Sequence, residues 1–228
     1  MSYLAPKINE SEKIIKEAVE RFGKKMAIGF SGGTDSLVVL NMALSYMWDI
    51  PVVFVDTNYQ FPETYDFIDR IEKEWNLNLL RYKAGPNVDY YKETYGEATP
   101  EFYLECCRHH KIGPMMQSIK NLGLEAFMVG IRGCEHPTRA EEIPFSHKPD
   151  FDYPHWRVHP ILDWSMQDVI DYTLLYNIPV NPLYAQGYTS LGCTHCTSKN
   201  LTPGAHERAG RARGRELIKR KMKEEGYN

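Results

Sequence analysis

The chain opens with apolar side chains at helical spacing. Ile14, Ile15, Ala18, Val19 and Phe22 share one face of a 3.6-residue period, and Gly23 behind them reads as a C-terminal cap. The pattern then changes to short apolar runs. Residues 26–30 and 51–55 read as buried strands, and 78–83 and 125–131 supply a third and a fourth. An apolar helix fits Asp35 to about Trp48, and Pro62 opens another whose Ile68, Ile71 and Trp75 share a face. Strands separated by helices imply a parallel sheet with right-handed crossovers, whose ligands bind at the carboxyl ends of the strands. Farther on, 84–124 is mostly helical and broken by Pro114. Residues 133–160, with five prolines and little periodicity, read as a long loop closing over a site. Ser165 caps a helix to about Asn177, 181–200 is irregular, and a basic tail helix follows Pro203. The expected fold is α/β, a three-layer, doubly wound, mostly parallel sheet. It forms one domain over 1–228, with a core at 1–132 and the loop, a CxxC segment and the tail helix at 133–228.

Composition narrows the class. With 43% hydrophobic and 25% charged residues the chain is neither disordered nor membrane-like. No apolar run approaches the roughly 20 residues that span a bilayer, and the N-terminus has no apolar signal core, so a cytoplasmic protein is expected. A net charge of −3 gives no general pull on nucleic acid. The exception is the C-terminal crowd of Arg208, Arg211, Arg213, Arg215, Lys219, Arg220, Lys221 and Lys223. Five cysteines, an odd number, argue against a disulfide framework, and four of them stand in two tight pairs that suggest metal or redox chemistry.

Ser31-Gly32-Gly33-Thr34-Asp35-Ser36 lies between a buried strand and a helix start, where backbone N–H groups and the positive helix end hold phosphate. It lacks the Lys-Ser/Thr ending of a Walker A loop. It resembles the pyrophosphate loop of the adenine-nucleotide alpha-hydrolase (ATP pyrophosphatase) superfamily. Asp56-Thr57-Asn58-Tyr59-Gln60-Phe61-Pro62-Glu63-Thr64-Tyr65 then resembles the "DTG-x-x-FPETY" stretch of phosphoadenylyl-sulfate (PAPS) reductases. Asn58 replaces the usual glycine, and asparagine is the residue that next most easily takes φ > 0, so the turn is expected to survive.

Cys106-Cys107 and, 86 residues after Cys107, Cys193-Thr194-His195-Cys196 are the most specific signal. Four thiolates suit a [4Fe–4S] cluster or a tetrahedral zinc. Adjacent cysteines diverge by about 100° on a helix and make a poor zinc knuckle, whereas a larger cluster accepts them more readily. A redox disulfide between Cys193 and Cys196 is the remaining alternative. The histidines of His155-x-x-x-His159 and His109-His110 lack carboxylate partners at motif spacing and read as surface or packing residues.

The Cys-Cys…Cys-x-x-Cys arrangement resembles that of assimilatory adenylyl-sulfate (APS) reductases, which ligate a [4Fe–4S] cluster this way. Arg108 and Lys111 match the basic positions after the pair. Residues 187–193 resemble "GY-x-S-x-GC", and 206–211 resemble "HER-x-GR". Gly130-Ile131-Arg132, with Arg139, resembles a "GxR…R" substrate loop. The resemblance spans roughly 26–211. It implies nucleotide binding by Ser31, Gly32, Gly33, Thr34, Asp35, Ser36, Asp56, Thr57, Arg132, Arg139, Arg208 and Arg211, with Cys106, Cys107, Cys193 and Cys196 as cluster ligands. Lys111 would offset the cluster's charge. Both reductase families end in a Glu-Cys-Gly-Leu-His stretch whose cysteine attacks the sulfate sulfur, yet no cysteine follows Cys196. Cys134, beside Arg132, is therefore the candidate nucleophile, with Arg132 and Arg139 expected to lower its pKa.

Two activities follow. One is reduction of an adenylyl sulfate or its 3′-phosphate to sulfite with a thioredoxin-like donor. The other, favoured by the intact SGGTDS and the basic tail, is an ATP-dependent sulfurtransferase. It would use Mg2+ and a sulfur donor to thiolate a nucleic acid or small-molecule acceptor. Either would be a homo-oligomer of sulfur metabolism with no membrane partner.

Overall fold

The structure, a computed structural model, describes residues 3–83, 85, 87–149 and 153–225. A six-stranded sheet runs in the order β3-β2-β1-β4-β6-β5. Its strands are β1 (Met26–Gly29), β2 (Val52–Asp56), β3 (Leu79–Lys83), β4 (Ala126–Val129), β5 (Phe145–Lys148) and β6 (His155–Val158). All neighbours pair parallel except β5, which closes the edge antiparallel to β6. The strand order reverses between β1 and β4, and the crevice at their carboxyl ends is where a doubly wound sheet takes its ligand.

Alternation along the strands explains why they read as continuous apolar runs. Met26, Ile28, Val52, Phe54, Ala126 and Met128 join one apolar layer. Ala27, Val53 and Phe127 join another on the opposite face. A sheet buried on both faces has no polar side to show. The first layer is covered by α1 (Leu4–Phe22), α2 (Thr34–Leu44), α3 (Pro62–Glu74) and α8 (Met166–Leu175). The second packs Met115 and Ile119 of α6 (Gly113–Asn121). The expected three-layer architecture is therefore present.

Helix ends follow the local chemistry. Gly23 caps α1 at φ 49°, as the pattern suggested. Ser165 caps α8 in a reciprocal box with Asp168. Helix α2 stops at Leu44, short of Trp48, which is 75% exposed and gives the helix no core contact to extend it.

Three expectations are corrected. Pro114 does not break the chain's helix. After α4 (Val88–Tyr95), α5 (Pro100–Cys107) runs through a π-helical turn, Arg108–Ile112, into α6. The wider turn pairs Gly113 N–H with the Arg108 carbonyl, so the donor that Pro114 lacks is absorbed where the spacing already shifts. Residues 133–160 are not one long loop. They contain α7 (Pro137–Ala140) and strands β5 and β6, with 150–152 outside the described residues. Strand β6 escaped the pattern because its buried side chains include His155 and Arg157, which satisfy one another through Arg157 Nε donating to His155 Nε2 at 2.9 Å. The histidine expectation holds here as packing rather than surface. Finally, the basic tail is two short helices, α9 (Arg213–Leu217) and α10 (Lys219–Glu224). Arg208, Arg211, Arg215 and Lys219 are buried rather than displayed. No helix among the described residues is long and apolar enough to cross a membrane.

Candidate active site

The glycine turn after β1 is shaped by two different glycines. Gly32 adopts φ 77°, and a Cβ there would meet Thr64 Cγ2 at 2.9 Å, so the fold itself demands glycine. Gly33 has φ −89°, and its Cβ would meet only Ser31 Oγ and Tyr184 Oη at 3.5 Å. Its open side faces the ligand space. Ser36 Oγ donates to the Gly33 carbonyl at 2.8 Å and accepts the Ser31 N–H at 3.2 Å. Thr34 N–H donates to Tyr184 Oη at 3.3 Å. A Cβ on Gly130, past β4, would stand 2.5 Å from the Asp35 carbonyl oxygen, so this glycine lets β4 pack against the start of α2.

Over this turn lies a cavity of about 720 Å³. Ser31, Gly33, Thr34, Asp35 and Ser36 line it, with the apolar face of α8 (Met166, Val169, Ile170, Leu174) on one wall. Lys111, Arg139, Arg208, Arg211 and Arg215 contribute charge. A smaller cavity of about 170 Å³ sits at the carboxyl ends of β1, β2 and β4, among Gly29, Val55, Thr57, Met115 and Val129. The two share Ser31, Ser36, Gln60, Lys111, Gly130 and Arg139.

Besides the four expected cluster ligands, Gly32, Asp56, Arg132 and Cys134 of the expected site residues line neither cavity. Gly32 shapes the turn. Asp56 Oδ1 accepts from Asn58 N–H at 2.9 Å and Tyr65 Oη–H at 2.6 Å, and Asn58 takes φ 62°, so the turn survives its substitution as expected. Arg132 is fully buried. Its Nε donates to Asp35 at 2.9 Å and its Nη2 to Glu207 at 2.6 Å, so its charge is spent on tying the glycine turn to the segment after Cys196. Nor is the Cys134 thiol lowered by Arg132 and Arg139 as expected. Burial pushes its thiol up, and the Arg132 guanidinium, already neutralised by two carboxylates, does not reverse the shift. The Cys134 thiol bonds with the Trp164 carbonyl at 3.4 Å, away from the cavity.

The surrounding charges form a network. Burial raises the Asp35 carboxyl to about 6 against the opposing pull of Arg132. Burial also pushes Glu135 up, but Arg139 and Arg132 outweigh it and hold that carboxyl at about 2. Arg208 is gripped by both oxygens of Glu216 at 2.8 Å.

Beside the nucleotide-facing turn, Cys106, Cys107, Cys193 and Cys196 are buried in one cluster with Tyr91, Phe102, Tyr103, Ile218 and Met222, and none is disulfide-bonded. The disulfide alternative is thus not the state seen. Cys193 Sγ–H donates to Thr57 Oγ1 at 3.3 Å, and His110 contacts the Thr57 carbonyl, so the end of β2 touches both sites. The interaction between the neighbouring Cys193 and Cys196 side chains holds Cys193 up at about 12 and lowers Cys196 to about 6, with Lys111 pulling both down. The ligand atoms of Cys193, His195 and Cys196 lie within 4.8 Å of one another, while Cys106 and Cys107 stand outside that group. Cys106 Sγ approaches His195 Nε2 at 3.6 Å, and His195 packs edge-on against Tyr59 and Phe102.

A profile of the phosphoadenosine phosphosulfate reductase domain matches residues 25–199. The chain belongs to this family. It is 30% identical over 200 residues to the phosphoadenosine 5′-phosphosulfate reductase of Alkalilimnicola ehrlichii, covering 86% of this chain and 80% of that one. It is equally 30% identical over 204 residues to the adenosine 5′-phosphosulfate reductase of Halalkalibacterium halodurans, covering 89% and 86%. A crystal structure of Candida auris PAPS reductase superposes with a TM-score of 0.66 at 22% identity, covering 83% of this chain and 90% of that one, which shows the shared fold. The family thus embraces relatives named for either nucleotide.

Sequence reasoning passed over Glu207, Tyr184, His195 and the buried placement of Arg215. Glu207 and His195 lay inside quoted motifs and could have been weighed as charges or ligands. Tyr184 carries no sequence signal, because its role arises only when the irregular 181–200 segment folds back on the glycine turn.

Proposed function

We propose that the chain is a sulfonucleotide reductase that converts an adenylyl sulfate, or its 3′-phosphate, to sulfite and the corresponding adenosine phosphate. The observation that carries this reading is Lys111. It lines both cavities over the glycine turn and also acts electrostatically on Cys106, Cys193 and Cys196. The family membership supports the same chemistry.

In this reading the smaller cavity takes the nucleoside and the glycine turn holds the 5′-phosphate through N–H groups and the Ser31 and Ser36 hydroxyls. Arg139, Arg208, Arg211 and Lys111 hold the sulfonate oxygens. A thiolate attacks the sulfur, the bond from sulfur to the phosphate oxygen breaks, and the nucleotide leaves with that electron pair. A second thiol then displaces sulfite, leaving a disulfide, so the two electrons come from the dithiol. None of the five cysteine side chains lines either cavity. The attacking thiol therefore comes from outside the described residues, as a thioredoxin-type donor would supply it.

The four buried thiols fit a [4Fe–4S] cluster. Cys193 and Cys196 are close-set and share one buried cluster with the adjacent pair Cys106 and Cys107, an arrangement that a polynuclear cluster accepts more readily than a zinc knuckle does. When bound, such a cluster would supply a compact centre of charge that Lys111 balances.

Anaerobic protein given adenylyl sulfate, its 3′-phosphate or ATP, together with a reduced dithiol donor, tests the reading. Sulfite with stoichiometric nucleotide is the expected result. Pyrophosphate from ATP without sulfite from either sulfate would overturn it in favour of acceptor adenylation.

A further inference from the structure

The glycine turn is clasped by two residues from a distant part of the chain, Asn181 and Tyr184. Asn181 is 1% exposed. Its Nδ2 donates to the Gly32 carbonyl at 3.2 Å and to Thr64 Oγ1 at 3.3 Å, and its Oδ1 accepts the Leu183 N–H at 3.1 Å. Its own carbonyl accepts the Tyr184 N–H at 3.1 Å. The residue that grips the turn therefore also sets where the tyrosine begins. Leu183 is buried, and Gly187 at φ 93° ends the single helical turn Tyr184–Gln186. Tyr184 is mounted on the glycine turn.

Its side chain lines the large cavity, and its Oη accepts the N–H of Thr34, the first residue of α2, at 3.3 Å. A first-turn N–H has no acceptor within its own helix, so the hydroxyl takes up a donor of the kind that holds an anion. The same oxygen would lie 3.5 Å from a Cβ on Gly33, at the open side of that residue. A phenol oxygen that accepts one N–H still has its own proton to give, and rotation about the C–O bond turns that proton toward the cavity. Burial and the neighbouring Asp35 carboxyl outweigh the bonds from Thr34 and push the hydroxyl up to about 12. Near neutral pH the group is a donor and not an anion.

We propose that Tyr184 is a catalytic residue, whose hydroxyl donates to the phosphate oxygen that leaves when the sulfur–oxygen bond breaks. The proposal rests on the reading of this cavity as the site of an adenylyl sulfate. In that ester the bridging oxygen is shared between sulfur and phosphorus, and the phosphate carries one negative charge. As the donor's thiolate bonds to sulfur, the bond from sulfur to that oxygen breaks and its electron pair goes to the oxygen. The phosphate then carries two charges. A hydrogen bond from a donor already in place strengthens as that charge develops. The Thr34 N–H, donating into the phenol oxygen, polarises the hydroxyl and makes it a stronger donor. Tyr184 keeps its proton throughout, and both electrons of the reduction still come from the dithiol.

Calorimetry with adenosine, AMP and adenylyl sulfate tests it on anaerobic wild type and Tyr184→Phe, at about pH 8, above the second phosphate pKa of about 6. Phenylalanine keeps the ring and removes only the hydroxyl. AMP, with its dianionic phosphate, should lose about tenfold in affinity, adenylyl sulfate about threefold or less, and adenosine nothing. Unchanged AMP affinity overturns the proposal and leaves the nucleotide site standing. So does tighter AMP binding, which would mean that the hydroxyl competes with the phosphate for the Thr34 N–H. Equal losses for AMP and adenylyl sulfate overturn the response to developing charge, and the catalytic role with it. A wild type that binds AMP no more tightly than adenosine would overturn the phosphate reading of the turn itself. Because affinities are compared as ratios between ligands within one protein, a variant that folds only partly still reports.

Discussion

The sheet and the cysteine cluster meet at Thr57 and Lys111, yet they are held together in different ways. The sheet is buried on both faces by aliphatic side chains from four helices on one side and α6 on the other. Its glycine turn is fixed by backbone sterics at Gly32 and Gly130 and by a buried ion network through Arg132. The cysteine region, drawn from α4, α5, the 193–196 loop and the tail helices, has a small core in which four of the buried side chains are thiols. Four thiols contribute little apolar area, and burial drives Cys106 up as a thiol. The first region is therefore self-sufficient, whereas on the proposed cluster reading the second would take its order from the group that the cysteines hold.

The sharpest way to break that comparison is to remove the group. Anaerobically prepared protein should carry about four irons per chain. Cys193→Ser, or chelation of the iron, should remove the iron and its colour. Amide exchange should then rise over α5, 193–196 and α9–α10 while 26–29, 52–56 and 126–129 stay protected. Equal loss of protection in β1, β2 and β4 would show that the two regions do not fold independently. Stoichiometric zinc with no iron would refute the cluster.

A second test separates the glycines that the fold requires from the one that the ligand requires. Gly130→Ala places a Cβ against the Asp35 backbone and should cost about 1–3 kcal/mol of stability. Gly33→Ala meets only ordinary contacts, so its stability should change by less than about 0.5 kcal/mol. Nucleotide affinity should nevertheless fall, because the methyl group faces the cavity. Chemical denaturation paired with calorimetry reads both. The idea fails if Gly33→Ala binds AMP as the wild type does.

The same contrast explains what could be read from sequence. Strands β1, β2 and β4 were legible because both faces are buried, so runs such as residues 52–55 are apolar without interruption. The turns after β1 and β2 were legible because Gly32 and Asn58 are residues that a positive φ selects. Strand β6 was not, since its buried residues His155 and Arg157 are polar, held by their bond to each other and by the Arg157 contact with Met115 of α6, which is distant in sequence. The cysteine pairs announced a site, but the burial of Arg211, Arg215 and Lys219 was invisible. A basic tail looks the same on paper whether it faces solvent or an anion pocket.

The smallest effect is expected at Cys134. A nucleophile needs its thiolate near neutral pH and a path to the sulfur. For Cys134 both observations point the other way, since desolvation raises its thiol and it lines neither cavity. The guanidinium expected to activate it is saturated by Asp35 and Glu207. Serine keeps a group able to donate to the Trp164 carbonyl and to accept from Arg132, so the local hydrogen bonds persist. Cys134→Ser should therefore keep its iron, bind nucleotide normally and turn over within about twofold of the wild type, with stability changed by less than about 0.5 kcal/mol. Loss of sulfite release with iron and nucleotide binding intact would reverse this assignment. It would mean that 133–140 moves to carry the thiol into the cavity during turnover.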